Sequence, residues 1–410
     1  MRANGSKWVA ALVVLTAACG GGGSGTASST SQSSATASAG STTTTTEAVA
    51  GFAASEITAG DQHACALDPD GAAYCWGYNR MGQLGDGTGT DSRAPVAVAG
   101  NLRFKALSAG RYFTCGLTSA GATWCWGDNS RAELGDGTTG KGGDTENRLA
   151  PVEVLGAIKF EELVTGQLHV CGRTATGETW CWGVYSSGEL GNDASPDQPQ
   201  PTRSAVGLVF DSLAAAGSSS CGLAAGGVTS CWGNNTFGQL GNGTKSNAPQ
   251  PAPSQTVGPV RFTSVAMGRA HACGLDAEGA AWCWGGNTYG QLGDGTKDER
   301  LTPTAVLGDH RFSALTGGTT HTCGLARDGA AWCWGANSVG QLGDGAGNAA
   351  EDRLSPVAVA GGIAFTRLSA GEEFTCGLAK DGSAYCWGSN GVLGNGTRDA
   401  STEPVLVSAV

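Results

Sequence analysis

The stretch Cys75-Trp76-Gly77-Tyr78-Asn79-Arg80-Met81-Gly82-Gln83-Leu84-Gly85-Asp86-Gly87-Thr88 has a counterpart in each later segment of about fifty residues. The Cys-Trp-Gly triplet returns at Cys125, Cys181, Cys231, Cys283, Cys333 and Cys386. Ten residues ahead of each triplet stands another cysteine, at Cys65, Cys115, Cys171, Cys221, Cys273, Cys323 and Cys376. Outward from this pair lie a Phe-x-x-Leu segment (Phe104 to Leu107, Phe160 to Leu163, Phe312 to Leu315) and a Pro-led segment (Pro95 to Val98, Pro151 to Val154, Pro356 to Val359). Each unit therefore reads as four short strands. One such small sheet cannot bury its faces alone and needs neighbours, so a repeat of this length predicts a β-propeller, with an open β-solenoid as the alternative.

Composition agrees. Glycine makes up 69 of 410 residues and only 14% are charged, which excludes a coiled coil or a helical bundle and favours strands joined by tight turns. The first unit opens at Phe52 with no Pro-led segment before it, whereas the chain finishes with Pro404-Val405-Leu406-Val407. The expected fold is thus all-β: a seven-bladed β-propeller with four strands per blade, its ring closed by the C-terminal strand completing the first blade and hiding the edges an open stack would expose.

The paired cysteines carry chemistry. In Cys65-Ala66-Leu67-Asp68-Pro69-Asp70-Gly71-Ala72-Ala73-Tyr74-Cys75 the turn signal at Asp68 to Gly71 folds two strands into a hairpin and sets Cys65 opposite Cys75. Cross-strand neighbours lie at disulfide distance, so an exported chain should oxidise all seven pairs within their own hairpins. Buried free thiols are the alternative; zinc is disfavoured because Cys-x-x-Cys spacing is absent. The same register sets Gly116 across from Trp124, and five further units across from Trp, Tyr or Ser, predicting a ring over most strand glycines. His63, His169, His271 and His321 stand two residues before the first cysteine, where other units carry Phe113, Ser219 and Phe374. A histidine that phenylalanine can replace reads as structural, not as a ligand or a general base.

Residues 1–18 read as a signal peptide: Arg2 and Lys7 precede an apolar run from Trp8 to Ala18 that is too short to span a bilayer. Leu15-Thr16-Ala17-Ala18-Cys19 resembles the lipobox of bacterial lipoproteins, which implies lipidation of Cys19; simple secretion is the alternative. Gly20 after that cysteine implies, by the same resemblance, the outer membrane. Residues 19–51 are a Gly/Ser/Thr-rich linker too polar to order itself, and 52–410 form the propeller. The chain is expected to be exported and anchored in the bacterial cell envelope by its lipid alone.

The repeat Cys-Trp-Gly-x-Asn-x-x-Gly-Gln-Leu-Gly-Asp/Asn-Gly-Thr, preceded by Gly-x-x-His-x-Cys-Gly/Ala-Leu, resembles that of the regulator of chromosome condensation family over residues 52–410. The resemblance implies a seven-bladed propeller. It leaves function open, since relatives include exchange factors, recognition modules and receptor scaffolds.

The Gly-rich stretch at Gly135 to Gly142 is the repeat's own turn and not a phosphate loop; Ca²⁺-loop, nucleophile-elbow and metalloprotease motifs are absent. No cofactor or metal is expected, and no enzyme. The net charge of −11, without a basic run, argues against nucleic acid as a partner.

Function is then expected where units differ. The loop before each first cysteine varies most, reading Asp61-Gln62, Arg111-Tyr112, Gln167-Leu168, Gly217-Ser218, Arg269-Ala270, Thr319-Thr320 and Glu372-Glu373. These loops should ring one mouth of the central channel, with Arg111, Tyr112, Phe113, Arg269 and Glu372 as a mixed aromatic and charged contact surface. Longer insertions at residues 139–150 and 346–355 should decorate the rim. The function read from the sequence is a monomeric, lipid-anchored module binding an unidentified protein of the envelope or exterior. The alternatives are a small-ligand receptor or enzyme at the channel mouth and, by fold analogy, a guanine nucleotide exchange factor.

Overall fold

The computed structural model describes residues 51–139, 147–192, 196–205, 207–347 and 351–410. The segment read as a signal peptide, Cys19, nearly all of the segment read as a linker and parts of both long insertions lie outside them. Seven four-stranded antiparallel sheets follow one another along the chain, at residues 56–97, 106–153, 160–204, 212–255, 264–305, 312–358 and 365–406. They are the blades of a propeller.

Blade one shows why the repeat folds this way. Strands His63–Leu67 and Ala73–Gly77 form the central hairpin. Its turn is built by Asp68, whose Oδ1 accepts the amides of Asp70 (2.9 Å) and Ala72 (2.8 Å). Glu56–Ala59 pairs on the inner side and Ser92–Ala97 on the outer. Between Cys75 and Gly77 the register to the outer strand shifts, and Gly77 takes φ 109°, where a Cβ would lie 2.6 Å from the carbonyl oxygen of Gln62. The glycine of Cys-Trp-Gly is therefore a bulge that only glycine fits.

All seven cysteine pairs are disulfides within their hairpins, with Cα atoms 4.0–4.2 Å apart: Cys65–Cys75, Cys115–Cys125, Cys171–Cys181, Cys221–Cys231, Cys273–Cys283, Cys323–Cys333 and Cys376–Cys386. Gly116 does face Trp124 across the hairpin. The ring that covers the glycine, however, is Phe104, whose edge lies 2.6 Å from where a Cβ would be; Phe160, Phe210, Phe262, Phe312 and Phe365 do the same in blades three to seven.

The core lies between blades. The tryptophan after each second cysteine is fully buried and sits on a glycine of the preceding blade: Trp126 on Gly85, Trp182 on Gly135, and so round to Trp76 on Gly394. A Cβ on any of these seven glycines would meet the indole at 2.7–2.8 Å. Six of the indoles also donate Nε1–H, at 2.9–3.0 Å, to a backbone carbonyl of that same loop; Trp387 keeps its glycine contact without that bond.

Closure of the ring differs from the expectation. The C-terminal strand Ser401–Leu406 pairs with Ala384–Gly388 of its own blade and completes blade seven, not blade one. The Pro-led segment belongs to the hairpin that precedes it, so no blade lacks a strand. The seam is closed instead by Trp76 on Gly394, with Trp76 Nε1 donating to Val392 O (3.0 Å). Phe52 N also donates to Val407 O (3.0 Å), and bridges run from Gly51 to Ser408 and from Ala53 to Ser383.

The repeated histidines tie blades together. His63, His169, His271 and His321 are fully buried, and each Nε2 lies 2.8–2.9 Å from a hydroxyl of the next blade: Thr114, Ser220, Thr322 and Thr375. Each hydroxyl in turn donates to a carbonyl of the histidine's own blade, so it accepts from the ring and Nε2 carries the proton. Where the histidine is replaced, so is the hydroxyl: Phe113 is followed round the ring by Val170, Ser219 by Ala272 and Phe374 by Ala64.

Burial keeps these imidazoles neutral, pushing the pKa down to about 3 for His63 and His321 and about 4 for His169 and His271. Below the ordinary value the unfolded chain takes up protons that the folded chain refuses. The stability tied to these four is therefore intact above about pH 6.5 and is lost as pH falls towards 4. Thr322→Val should cost about 1–3 kcal/mol in urea unfolding by stranding the His271 N–H. His271→Phe with Thr322→Val should recover part of that loss and flatten the acid dependence.

Oxidation is checked by mass. The blade cysteines should take up alkylating reagent only after reduction, and removing one pair, such as Cys115 with Cys125, should cost no more than about 2.5–3 kcal/mol.

Candidate binding face at the channel mouth

The inner strands of all seven blades converge on the axis, which is why they end in small residues such as Ser108-Ala109, Ala215-Ala216 and Ser369-Ala370. The channel between them has a volume of about 280 Å³. The loops singled out in the sequence surround its mouth. Asp61, Arg111, Gln167, Gly217, Arg269 and Thr319 stand at successive positions, and Glu372 follows Gly371 of the lining. Backbone hydrogen bonds tie neighbouring loops: Arg111 N to Gln167 O (3.2 Å), Gln167 N to Gly217 O (2.9 Å), Arg269 N to Gly318 O (3.2 Å) and Glu372 N to Asp61 O (3.3 Å).

Charge at the mouth is partitioned. Asp61 accepts from Gln167 Nε2 at 3.0 Å and has the Arg111 guanidinium 3.8 Å away. Burial, with the Glu372 carboxylate adding to it, nonetheless pushes its pKa up to about 6. Glu372 accepts from Gln62 at 3.3 Å. Arg111, its side chain 44% exposed, lies over the Tyr112 ring at 4.9 Å; Tyr112 contacts Tyr78 of blade one at 5.8 Å, and Arg80 caps Tyr78 at 5.7 Å. The result is a row of two tyrosine rings flanked by guanidiniums across two blades, next to a carboxylate pair. Arg269 is exposed on blade five.

One nominated residue does not reach this surface. Phe113 is fully buried, its ring 2.2 Å from where a Cβ on Gly110 would stand, because it occupies the position that histidine fills in other blades. Conversely, Tyr78, Arg80, Phe237 and Tyr289 contribute to the face or its rim and were not singled out. Phe237 and Tyr289 are 41% and 43% exposed, on the loops joining the third and fourth strands of adjacent blades. Their signal lay in the two variable positions of Asn-x-x-Gly, which read Arg80-Met81, Thr236-Phe237 and Thr288-Tyr289.

Blade seven departs from that pattern. Elsewhere two residues stand between the Asn position and the following Gly or Ala; here Asn390 is followed directly by Gly391. Asn79, Asn129, Asn235, Asn287 and Asn337 are fully buried and accept the amide of a leucine five residues on, holding their loops in place. Asn390 is exposed, and a cleft of about 400 Å³ opens between blades seven and one.

The remaining polar burial is structural. Glu133 and Glu189 replace the repeat's glutamine and accept the same turn amide, from Arg131 and Ser187 at 2.7 Å, as Gln83 does from Met81 at 3.1 Å. Burial and the nearby Asp128 push Glu133 up to about 8, so it is held largely neutral at pH 7. Among the described residues no group of three or more His, Cys, Asp or Glu is placed to hold a metal ion.

The fold and this loop face place the chain, as a class, among seven-bladed β-propellers with a disulfide in each blade. Models of the regulator of chromosome condensation repeat match residues 54–83, 104–132, 262–291, 312–341 and 365–392, and, in a second version, 70–117, 231–275, 278–325 and 328–378. The chain belongs to this repeat family. It is 29% identical over 249 residues to the ultraviolet-B receptor UVR8 of Arabidopsis thaliana, an alignment spanning 60% of this chain and 56% of that receptor.

Among solved structures it resembles human WBSCR16, with a TM-score of 0.73 and 22% identity over 80% of this chain and 87% of that one. Yeast RCC1 (Prp20), solved bound to Kap60, gives a TM-score of 0.73 and 20% identity over 82% of this chain and 83% of that one. At these identities the structural likeness speaks to the fold.

Proposed function

We propose that this protein is an exported, lipid-anchored module of the bacterial cell envelope, monomeric, that binds another protein through the loop face at the channel mouth. The observation that carries the reading is the division of labour among residues. Repeated side chains are consumed by blade packing, whereas Arg111, Tyr112, Tyr78, Arg80, Arg269 and Glu372 vary from blade to blade and gather on one face. Arginine and tyrosine are among the residues that dominate the energetics of protein interfaces. Prp20, which shares the fold, is described with Gsp1p, histones and Kap60 as binding partners, so propellers of this family do present protein-binding faces.

The anchor rests on the lipobox-like Leu15 to Cys19, and the outer membrane on Gly20. The linker to residue 51 would give the ring a reach of about 30 Å from the membrane.

Envelope and secreted proteins captured on the immobilised mature chain should include one lost when Arg111, Tyr112 and Arg269 are changed together to Ala, a loss of at least about 2 kcal/mol. A partner retained by that variant would move the interface off the mouth. Cys19→Ala should shift the protein from the membrane fraction to the soluble fraction, and an unchanged distribution would remove the anchor from the account.

A further inference from the structure

We propose that the cleft between blades seven and one binds a small zwitterionic ligand, an amino acid or a short peptide with free ammonium and carboxylate ends. This site lies beside the mouth and shares Tyr78 and Glu372 with the face proposed to hold a protein partner, but its two guanidiniums, Arg93 and Arg398, are its own, and it is tested through them separately from that reading.

The cleft follows from one local change of sequence. In the other six blades the two residues after the Asn position build out the loop between the third and fourth strands. Blade seven lacks them. Gly391 keeps the positive φ of the repeat's glycine (75°, against 83° for Gly340), and Val392 O still accepts the Trp76 indole, so the seam stays closed beneath the gap. What is lost is the outer part of the loop. The space of about 400 Å³ left there is within the range of small-molecule sites.

Its lining has charges that the fold does not use. Arg148, Arg300 and Arg353 of blades two, five and six are clamped on Asp136, Asp294 and Asp344 at 2.7–2.9 Å. Where those arginines pair into the sheet, blades one and seven carry Ser92 and Ser401 instead. Their arginines, Arg93 and Arg398, are exposed, line the cleft, and enter no ion pair among the described residues. Glu373 also lines it with its carboxylate free of hydrogen bonds and ion pairs among the described residues, beside Glu372, whose carboxylate accepts from Gln62.

Two guanidiniums and four carboxylates line the cleft; Asp91 is taken up by the Asn79 amide and Asp61 by Gln167 and Arg111, which leaves Glu372 and Glu373 facing the cleft with Arg93 and Arg398, none of these four paired with another. Guanidinium recognises carboxylate through paired N–H donors, and carboxylates accept from ammonium. A ligand bearing both ends satisfies both sets, whereas a purely cationic or anionic ligand leaves one set facing its own kind. Tyr78 and Asn390 supply an apolar ring face and an amide for the body between.

The test is calorimetric titration of the purified, oxidised protein with Ala-Ala, with N-acetyl-Ala-Ala-amide and with glucose. Ala-Ala should bind saturably and the other two should not. Arg93→Gln with Arg398→Gln should weaken Ala-Ala at least about tenfold without moving the thermal midpoint, since neither arginine supports the fold. Inserting Ser-Val between Asn390 and Gly391, the spacing of blade six, should abolish binding. Changing Arg111 and Arg269 to Ala should leave it intact. Equal binding of the blocked dipeptide, an unchanged affinity in the double arginine variant, or no saturable binding of Ala-Ala would each overturn the proposal.

Discussion

Each blade of this protein is half a core. The buried tryptophan of one sheet rests on a glycine of the sheet before it, at a distance that leaves no room for even a methyl group, and the arrangement is repeated until the seventh glycine receives the first tryptophan. Packing at this density tolerates neither a larger residue on one side nor a smaller one on the other. The conservation of geometry through the repeat follows from this contact: Cys-Trp-Gly aims the indole, the disulfide holds the hairpin that carries it, and the Leu-Gly turn of the neighbouring blade forms the seat. Because the contact joins units distant in sequence only at the seam, one additional pair, Trp76 and Gly394, converts a stack into a ring.

That constraint governs where function can reside. Side chains on blade faces and in the repeated turns are committed to packing, to hydroxyl–imidazole pairs or to backbone capping. Freedom is confined to loop positions that no neighbour reads. On the mouth face those positions hold the Arg111–Tyr112–Tyr78–Arg80 row and the Asp61–Glu372 carboxylates, and beside it the shortened loop of blade seven. The same rigidity that limits variation also preorganises what varies, since the loops are tied to each other by backbone hydrogen bonds around the axis.

Much of this was legible in the sequence because repetition multiplies weak signals. Strand number, hairpin register, disulfide pairing and the ring of mouth loops all follow from seven aligned copies. The phase of the repeat was not legible. The Pro-led strand can be assigned to the hairpin before it or after it, and only pairing of Cys75 with Val96 and of Cys386 with Val405 decides for the former. Phe113 stood next to Arg111 and Tyr112 in sequence but turns inward, because those two lie in the turn whereas Phe113 opens the buried strand Phe113–Leu117 at the position a buried histidine fills in other blades. Two readable signals went unused. One is the match between each buried histidine and a hydroxyl about fifty residues later; the other is the missing pair of residues after Asn390. Both are visible only when units are compared position by position across an interface, not within one unit.

The account is tested most directly by comparing urea unfolding of Trp76→Ala, at the seam, with Trp334→Ala, at an interior junction. If every interface is the same tryptophan-on-glycine contact, each variant should lose about 3–5 kcal/mol and unfold in a single transition. A seam variant as stable as the parent, beside a strongly destabilised interior one, would contradict closure by this contact and require that the ring be held shut by something else.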